Sequence, residues 1–326
     1  MRSRSFRALV ALGMGTSLLM AGCGGGDGPS GRSRFVSIGT APPGGAFFVV
    51  GGALGEVLNE HGSGWEVTSE ATKGSQENIR RLDSGELDIA LLNAAVTYFA
   101  ARGEGNWEKP YRLKALMTLA PNVAMFVSPR DSGVSSLSDL RGQRVVVGPA
   151  GAGFESFVGP IVEAHGLTYE DFTPLHNTQS GAVDMLADGA AAAAFLGGAV
   201  PTASIVQAST SQEVLLVPFD PDAVVTLLTD FPFFYEQTIP IDTYRGQTEP
   251  YEGLDVGSMH LVAAEDADAE LIYEITKTIY EQRESVVEKH PAGRFINDEN
   301  VVRDTGIEFH PGAIRFYREI GIWPVG

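Results

Sequence analysis

Residues 35–60 read FVSIGTAPPGGAFFVVGGALGEVLNE. The first five residues, Phe35–Gly39, form a short apolar run of the β type, and the Pro-Pro-Gly-Gly stretch that follows soon after interrupts it. From Ala46 to Glu60 apolar residues recur three or four positions apart, which predicts an amphipathic helix. A strand, a glycine turn and a helix in this order form a βα unit, whose turn directs unpaired backbone N–H groups towards one point.

The same order returns in a second block of the chain. Arg144–Gly148 is predicted as a strand, Pro149–Gly153 as a glycine turn, and Phe154–His165 as a helix. Strands that alternate with helices predict the α/β class with parallel sheets, and two such blocks predict two lobes between which the chain crosses more than once. The other predicted strands are Trp65–Glu70, Asp88–Leu92, Arg112–Leu119, Val123–Ser128, Ala190–Phe195, Leu215–Val217 and Ser258–Ala264.

Composition excludes several classes of function. The chain has 326 residues, and its 23 Lys and Arg against 41 Asp and Glu give a net charge of −18. Such an acidic surface repels phosphate backbones, so nucleic-acid binding is excluded as a main role. A single cysteine leaves no disulfide framework, and the six histidines show no metal-ligand spacing. With no G-x-S-x-G motif either, we predict a protein that is not an enzyme and holds no metal or cofactor.

The N-terminus predicts export. Arg2, Arg4 and Arg7 precede an uncharged apolar run from Ala8 to Met20, so residues 1–22 are interpreted as a signal peptide. The run ends Leu19-Met-Ala-Gly-Cys23, which resembles a bacterial lipobox, whose cysteine is lipidated. The alternative is an ordinary signal peptide followed by a chance cysteine. Residues 23–34 then form a glycine-rich tether, and we expect a soluble body that its lipid holds on the extracytoplasmic side of a membrane.

Both glycine turns are candidate binding sites for an anion, a carboxylate in particular, because each exposes N–H groups at the positive end of a helix. Either turn alone is equally consistent with a plain tight connection. Ser75 and Asn78 could cap a helix or bind a ligand, while Asn93 follows a strand at the edge where α/β sheets bind ligands. The apolar stretch 231–235 could be a lid, a contact between lobes, or core.

Several motifs occur in a characteristic order between about residue 35 and Trp323. They are Ile38-Gly-Thr-Ala-Pro-Pro-Gly-Gly-Ala-Phe-Phe48, Thr72-Lys-Gly-Ser-Gln-Glu-Asn78, Leu82-Asp-Ser-Gly-Glu-Leu-Asp88, Asp139-Leu-Arg-Gly-Gln-Arg-Val-Val-Val-Gly148, Gly151-Ala-Gly153, Thr238-Ile-Pro-Ile-Asp-Thr-Tyr244 and His310-Pro-Gly-Ala313. Taken together, these motifs resemble one known family, the TAXI solute receptors of tripartite ATP-independent periplasmic (TRAP) transporters.

The resemblance implies an α/β, two-lobe type II periplasmic-binding-protein fold with a hinge and a ligand cleft between the lobes. The lobes would be residues 35–121 with 256–326, and residues 122–255. The ligand would be a small carboxylate, an amino acid or organic acid, delivered to a TRAP-type permease that uses an ion gradient. A ligand sensor of the same fold, acting on a signalling partner, is the alternative. The implied ligand-binding residues are Thr40, Gly44, Gly45, Ala46, Phe47, Phe48, Ser75, Asn78, Asn93, Gly151, Ala152, Gly153, Phe154, Phe195 and Gly198.

This chain departs from the family's usual pattern in the turn Gly151-Ala-Gly-Phe154, where two hydroxyl side chains are commonly found. Ala95 stands where an aspartate is usual, and residues 190–194 are unbroken alanine. A tyrosine beside the first turn is replaced by phenylalanine at Phe47 or Phe48. We therefore expect a less polar pocket and hypothesise a less polar, aromatic or branched acid as the ligand.

Overall fold

The computed structural model describes residues 34–43, 45–304 and 306–324. The predicted signal peptide, Cys23, all of the tether before Arg34, and Gly44 lie outside the described residues. None of the described helices is long and apolar enough to span a membrane. The strands are β1 (Arg34–Gly39), β2 (Trp65–Glu70), β3 (Ile89–Asn93), β4 (Leu113–Thr118), β5 (Val123–Pro129), β6 (Arg144–Val146), β7 (Thr173–Leu175), β8 (Ala193–Gly198), β9 (Val214–Val217), β10 (Phe234–Ile239), β11 (Tyr251–Val256) and β12 (Met259–Ala264). The helices are α1 (Ala46–His61), α2 (Ser75–Asp83), α3 (Ala94–Arg102), α4 (Glu155–Ala164), α5 (Gln179–Ala187), α6 (Ala203–Ser211), α7 (Pro221–Asp230), α8 (Ala269–Glu281), α9 (Arg283–Lys289) and α10 (Pro311–Glu319).

The strands form two sheets, and each sheet is the centre of one lobe. The first sheet has the order β2-β1-β3-β12-β4. The second has the order β10-β11-β5-β8-β6-β7, with β9 also paired to β5. The chain leaves the first sheet after β4 and returns to it at β12, so it crosses between the sheets twice. The α/β, two-lobe fold expected from the sequence is confirmed.

Both sheets are mixed, whereas the alternation of strands and helices predicted parallel ones. The βα units are parallel, as in the pairs of β1 with β2 and β3. In contrast, β12 runs antiparallel to β3 and β4, and β5 runs antiparallel to β8, β9 and β11. The reason is topological: a strand that arrives directly from the other lobe enters its sheet at the cleft edge and runs away from the cleft. No crossover helix brings it round to the parallel direction.

The turns that follow the parallel strands meet at the cleft. The strands β1, β2, β3, β6 and β7 are each followed in the chain by one of the helices α1 to α5. Since parallel strands end at one edge of their sheet, the N-termini of the following helices gather at that edge. The central strands are covered on both faces, as in β3 and β5, where every residue is buried. The sheets therefore form a rigid frame that holds the helix ends in place.

Candidate functional site

A narrow cavity lies between the two lobes. Its volume is about 70 Å³, which is room for roughly five water molecules or a small organic molecule. Both sheets contribute to its walls through the segments that leave their strands. The lining residues are Ala41, Pro42, Pro43, Gly45, Ala46, Phe47, Lys73, Gly74, Ser75, Asn93, Asn122, Pro149, Ala152, Phe154, Phe157, Thr178, Gln179 and Gly197.

Five helix N-termini border this cavity. The residues that begin α1, α2 and α3 come from the first lobe, and those that begin α4 and α5 come from the second. Each helix N-terminus carries a partial positive charge from its unpaired N–H groups. Five such ends around one small volume favour an anion there, although the protein as a whole is strongly acidic.

Three of these helices begin without any side-chain cap. The N-caps are Gly45 in α1, Gly74 in α2 and Phe154 in α4, and no side chain caps any of these helices. Within the described part of the chain no group accepts a hydrogen bond from the backbone N–H of Ala46, Phe47 or Glu155. A donor that forms no hydrogen bond costs free energy once water is excluded. These N–H groups are therefore available for an oxygen atom of a ligand.

The charged and hydroxyl groups of the lining also favour an anion. Among the lining residues that the structure describes, Lys73 is the one cation, and none is an aspartate, glutamate, histidine or cysteine. Ser75 is 6% exposed, and its Oγ accepts the N–H of Asn93 at 3.0 Å, which leaves its own proton free to donate. Nor does the described part of the chain contain a cluster of three His, Cys, Asp or Glu side chains suited to a metal ion.

The residues singled out from the sequence divide between the cavity wall and its surroundings. Those that line the cavity are Gly45, Ala46, Phe47, Ser75, Asn93, Ala152 and Phe154. Those that lie outside the lining are Thr40, Phe48, Asn78, Gly151, Gly153, Phe195 and Gly198. Gly44 lies outside the described residues.

Three of the residues outside the lining have a structural role instead. The Oγ1 of Thr40 donates to the carbonyl of Glu70 at 2.7 Å. The amide of Asn78 donates to the carbonyls of Thr40 at 2.8 Å and Leu91 at 3.1 Å, so it ties β1 to β3. Phe195 is 2% exposed and packs edge-on against Phe126 in the core.

Sequence reasoning missed several lining residues, among them Lys73, Asn122, Thr178 and Gln179. Lys73 stands inside a motif that the sequence did mark, and its charge was a usable signal. Thr178 and Gln179 begin α5, but the preceding strand β7 has only three residues and carries no clear apolar pattern. Asn122 lies on the crossover between β4 and β5, and no local pattern shows that this segment reaches the cleft.

The two lobes touch each other at glycines. A Cβ placed on Gly153, before α4, would stand 2.9 Å from the Cγ2 of Val96 in α3. A Cβ placed on Gly198, at the end of β8, would stand 3.1 Å from the Cβ of Ala46 in α1. Only glycine allows lobes to approach this closely at these positions. The structure therefore has a closed cleft, which accounts for the small volume of the cavity.

Aromatic side chains add a second contact between the lobes. In the segment before β10, the ring of Phe233 lies 5.3 Å from the ring of Tyr98 and 5.8 Å from that of Phe99, both in α3. The ring of Phe231 lies 6.3 Å from that of Phe99. Of the alternatives for stretch 231–235, the structure shows contact between lobes, and Phe233 is also buried.

The two crossovers between the lobes are joined by buried hydrogen bonds. The backbone N–H of Asn122, on the first crossover, donates to Oδ1 of Asp255 at 3.0 Å. Ser258, on the second crossover, donates to Oδ2 of Asp255 at 2.5 Å, and Arg303 lies 3.6 Å from the same carboxylate. Burial raises the pKa of Asp255, while Ser258 and Arg303 oppose that shift. These bonds fix the position of Asn122 at the base of the cleft.

Behind Asn93 lies a histidine that the structure holds neutral. Thr97 donates its Oγ1 proton to the carbonyl of Asn93, so Nε2 of His260, 2.8 Å from that Oγ1, must be the donor of its own hydrogen bond. Nδ1 of His260 is then a buried atom without a described partner. Burial lowers the pKa of His260 to about 3.

This histidine predicts a loss of stability in acid. An unfolded histidine gains its proton below pH ~6.5, whereas the folded His260 resists protonation, so the free energy of unfolding falls as pH drops from 6.5 towards 3. His260 alone should remove about 2 kcal/mol between pH 7 and pH 5. Urea unfolding at pH 7 and pH 5 measures this decrease in the free energy of unfolding. The decrease should be correspondingly smaller in His260→Gln. Equal losses in the two proteins would contradict the assignment.

Comparison with solved structures gives the same fold in proteins of low sequence identity. The alkanesulfonate-binding protein SsuA from Xanthomonas axonopodis pv. citri, bound to MOPS, is 14% identical with a TM-score of 0.51, over 89% of this chain and 80% of that one. A binding protein component of an ABC phosphonate transporter from Pseudomonas aeruginosa is 10% identical with a TM-score of 0.51, over 79% of each chain. A protein of Bordetella bronchiseptica RB50 is 14% identical with a TM-score of 0.54, over 90% of each chain.

At this level of sequence identity the comparison shows a common fold, and it does not show which ligand this chain binds. The fold is the type II periplasmic-binding-protein fold expected from the sequence. A model of the NMT1-like family matches residues 38–321, which is most of the described body. The chain belongs to the NMT1-like family.

Proposed function

We propose that the protein is an exported solute receptor that binds a small carboxylate between its lobes and delivers it to an ion-gradient-driven permease of the TRAP type. The observation that carries the proposal is the convergence of five helix N-termini and Lys73 on one cavity whose lining has no carboxylate. An anionic group is the ligand chemistry that such donors stabilise.

Binding would proceed by closure of the cleft. We assign residues 35–121 with 256–326 to one lobe and residues 122–255 to the other, with the crossovers as the hinge. The ligand would bind the turn before α1 first, and the turn before α4 would then close over it. The contacts of Gly153 with Val96 and of Phe233 with Tyr98 exist only when the lobes are together. The closed form thus presents a surface that the permease can distinguish from the open one.

The direct test is thermal unfolding of the purified protein against a panel of carboxylates, amino acids and sulfonates. A ligand that binds only the folded state adds about 2.7 kcal/mol of stability at 100 times its dissociation constant, which is an easily measured shift. We expect a carboxylate to raise the unfolding temperature and to be recovered chemically unchanged. A ligand that is consumed would indicate an enzyme, and a shift with sulfonates alone would overturn the carboxylate assignment.

The permease class is tested by uptake. We expect cellular uptake of the identified acid to require this protein, to stop when an ionophore collapses the ion gradients, and to survive depletion of ATP. The proposal of a TRAP partner rests on the sequence resemblance to the TAXI family. Uptake that follows ATP instead of the gradient would overturn it.

Lipid anchoring is tested at Cys23, the chain's single cysteine. If this cysteine carries the lipid, Cys23→Ala should move the protein from the membrane fraction to the soluble fraction, because no other anchor is proposed. Fractionation and immunoblotting measure the distribution. Membrane association that is unchanged in the variant would contradict the lipobox interpretation.

A further inference from the structure

Three side-chain amides line the cavity, and two of them are committed to the protein itself. Asn93 donates to the carbonyls of Val256 at 3.1 Å and Gly257 at 2.7 Å, while its oxygen caps α3. Gln179 donates to the carbonyl of Gly197 at 2.8 Å, and its oxygen accepts from Ser204 at 2.7 Å. Asn93 has no N–H left to donate, and Gln179 keeps one N–H but its oxygen already accepts from Gly197 and Ser204, so neither amide can both donate to and accept from a ligand.

The third amide, that of Asn122, is free. Its side chain makes no hydrogen bond with any residue that the structure describes, although Asn122 is only 8% exposed. Its backbone, in contrast, is fixed at both groups: the N–H donates to Asp255, and the carbonyl accepts from Val256 at 3.0 Å. Asn122 lines the cavity, and because its side-chain amide has no partner among the described residues, it can bind a polar group that arrives with the ligand.

We infer that Asn122 determines specificity by binding a neutral oxygen substituent of the acid, either a hydroxyl or a carbonyl. This inference rests on the proposed function. An amide can donate to either group and also accept from a hydroxyl. An ammonium group is disfavoured, because the lining has no carboxylate and five helix N-termini repel a cation. The ligand class is a small hydroxy or oxo acid, which suits a cavity of about 70 Å³.

The experiment uses acids that share one skeleton and differ at one carbon. Propionate, lactate, pyruvate and alanine carry hydrogen, hydroxyl, carbonyl and ammonium at C2, and the four-carbon series repeats the pattern with a longer apolar body. Calorimetric titration of the protein should show that the hydroxy or the oxo acid binds about tenfold more tightly than the plain acid. The amino acid should bind more weakly than the plain acid.

Two variants assign the difference to Asn122. Asn122→Ala should bind the hydroxy, oxo and plain acids alike, with the affinity for the plain acid unchanged, since the anion site is kept. Asn122→Asp has nearly the same size and adds a negative charge, so it should weaken all three of those acids and shift the preference towards the amino acid. Urea unfolding of unliganded Asn122→Ala should match the parent protein, since the side chain has no described partner to lose. Asn122→Asp should lose some stability, because it adds a charge at a position that is only 8% exposed.

The outcomes separate this inference from the proposed function. If the acids bind but the hydroxy, oxo and plain members are equal, or the amino acid binds best, the inference is wrong and the carboxylate receptor stands. If Asn122→Ala weakens every acid by the same factor, Asn122 binds the carboxylate, and the inference is again wrong. If no acid of either series binds, both the inference and the proposed carboxylate ligand are overturned.

Discussion

Gly45→Val should lower the affinity for the ligand by more than about 100-fold while the protein remains folded. Gly45 lines the cavity and precedes α1, and a Cβ built there meets only the carbonyl oxygen of Pro42, at 3.6 Å. The three added carbons would therefore fill space within a cavity of about 70 Å³. They would also cover the N–H groups of Ala46 and Phe47. Titration with the acid identified by the panel measures the loss.

The fold should tolerate this change, because Gly45 has φ −93° and ψ 155°, an extended conformation that any residue adopts. Loss of glycine at an N-cap costs about 1 kcal/mol. Gly52→Val is the matched control, because it makes the same change in the same helix. A Cβ on Gly52 meets no atom within 4 Å, and Gly52 does not line the cavity. Unchanged affinity in Gly45→Val would show that the turn is structural and that the anion binds elsewhere.

Asn93→Ala should lower the free energy of unfolding by about 3 kcal/mol. The substitution removes the cap of α3 and two hydrogen bonds to the second crossover, and it leaves the carbonyls of Val256 and Gly257 without these donors. Urea unfolding of the protein without ligand measures this cost. A large effect is expected because all of these groups are buried.

Asn122→Ala is the control for that prediction, since it truncates the same residue type in the same cavity. Asn122 has no side-chain bond to lose within the described part of the chain, so its truncation should change stability little. We therefore expect the two asparagines to have different roles: Asn93 holds the second crossover, and Asn122 binds the ligand. A stable Asn93→Ala protein that fails to bind would reverse these roles.

Much of the fold could be predicted from the sequence, because its signals are local. The strand before each glycine turn and the helix after it follow from apolar periodicity, and α1 was placed within one residue of its observed end at His61. Direction within the sheets was not predictable, since it depends on where β5 and β12 enter from the other lobe. The apolar spacing of residues 269–288 predicts one continuous helix, but the structure divides this segment at Gln282 into α8 and α9.

The candidate site was only partly predictable, for a different reason. A glycine turn leads into the unpaired N–H groups of the following helix whatever the tertiary fold, so the turns that contain Gly45 and Ala152 could be inferred from the sequence. An asparagine has no such fixed role: Asn78 ties two strands together, Asn93 holds a crossover, and Asn122 is free. Carbonyl groups far away in the chain determine which of these amides can still form hydrogen bonds with a ligand. The spacing of residues in the sequence does not show this.

The attraction for negative charge in this cleft comes mostly from the main chain, and that has a consequence for how such proteins diversify. Helix ends keep their N–H groups whichever side chains the gene encodes, so mutations at Ala152 or Phe154 change the shape of the wall without removing the charge preference. Under the proposed function, such mutations can change which acid is preferred while the preference for an acid persists. Related receptors could then acquire a new ligand without passing through a form that binds nothing.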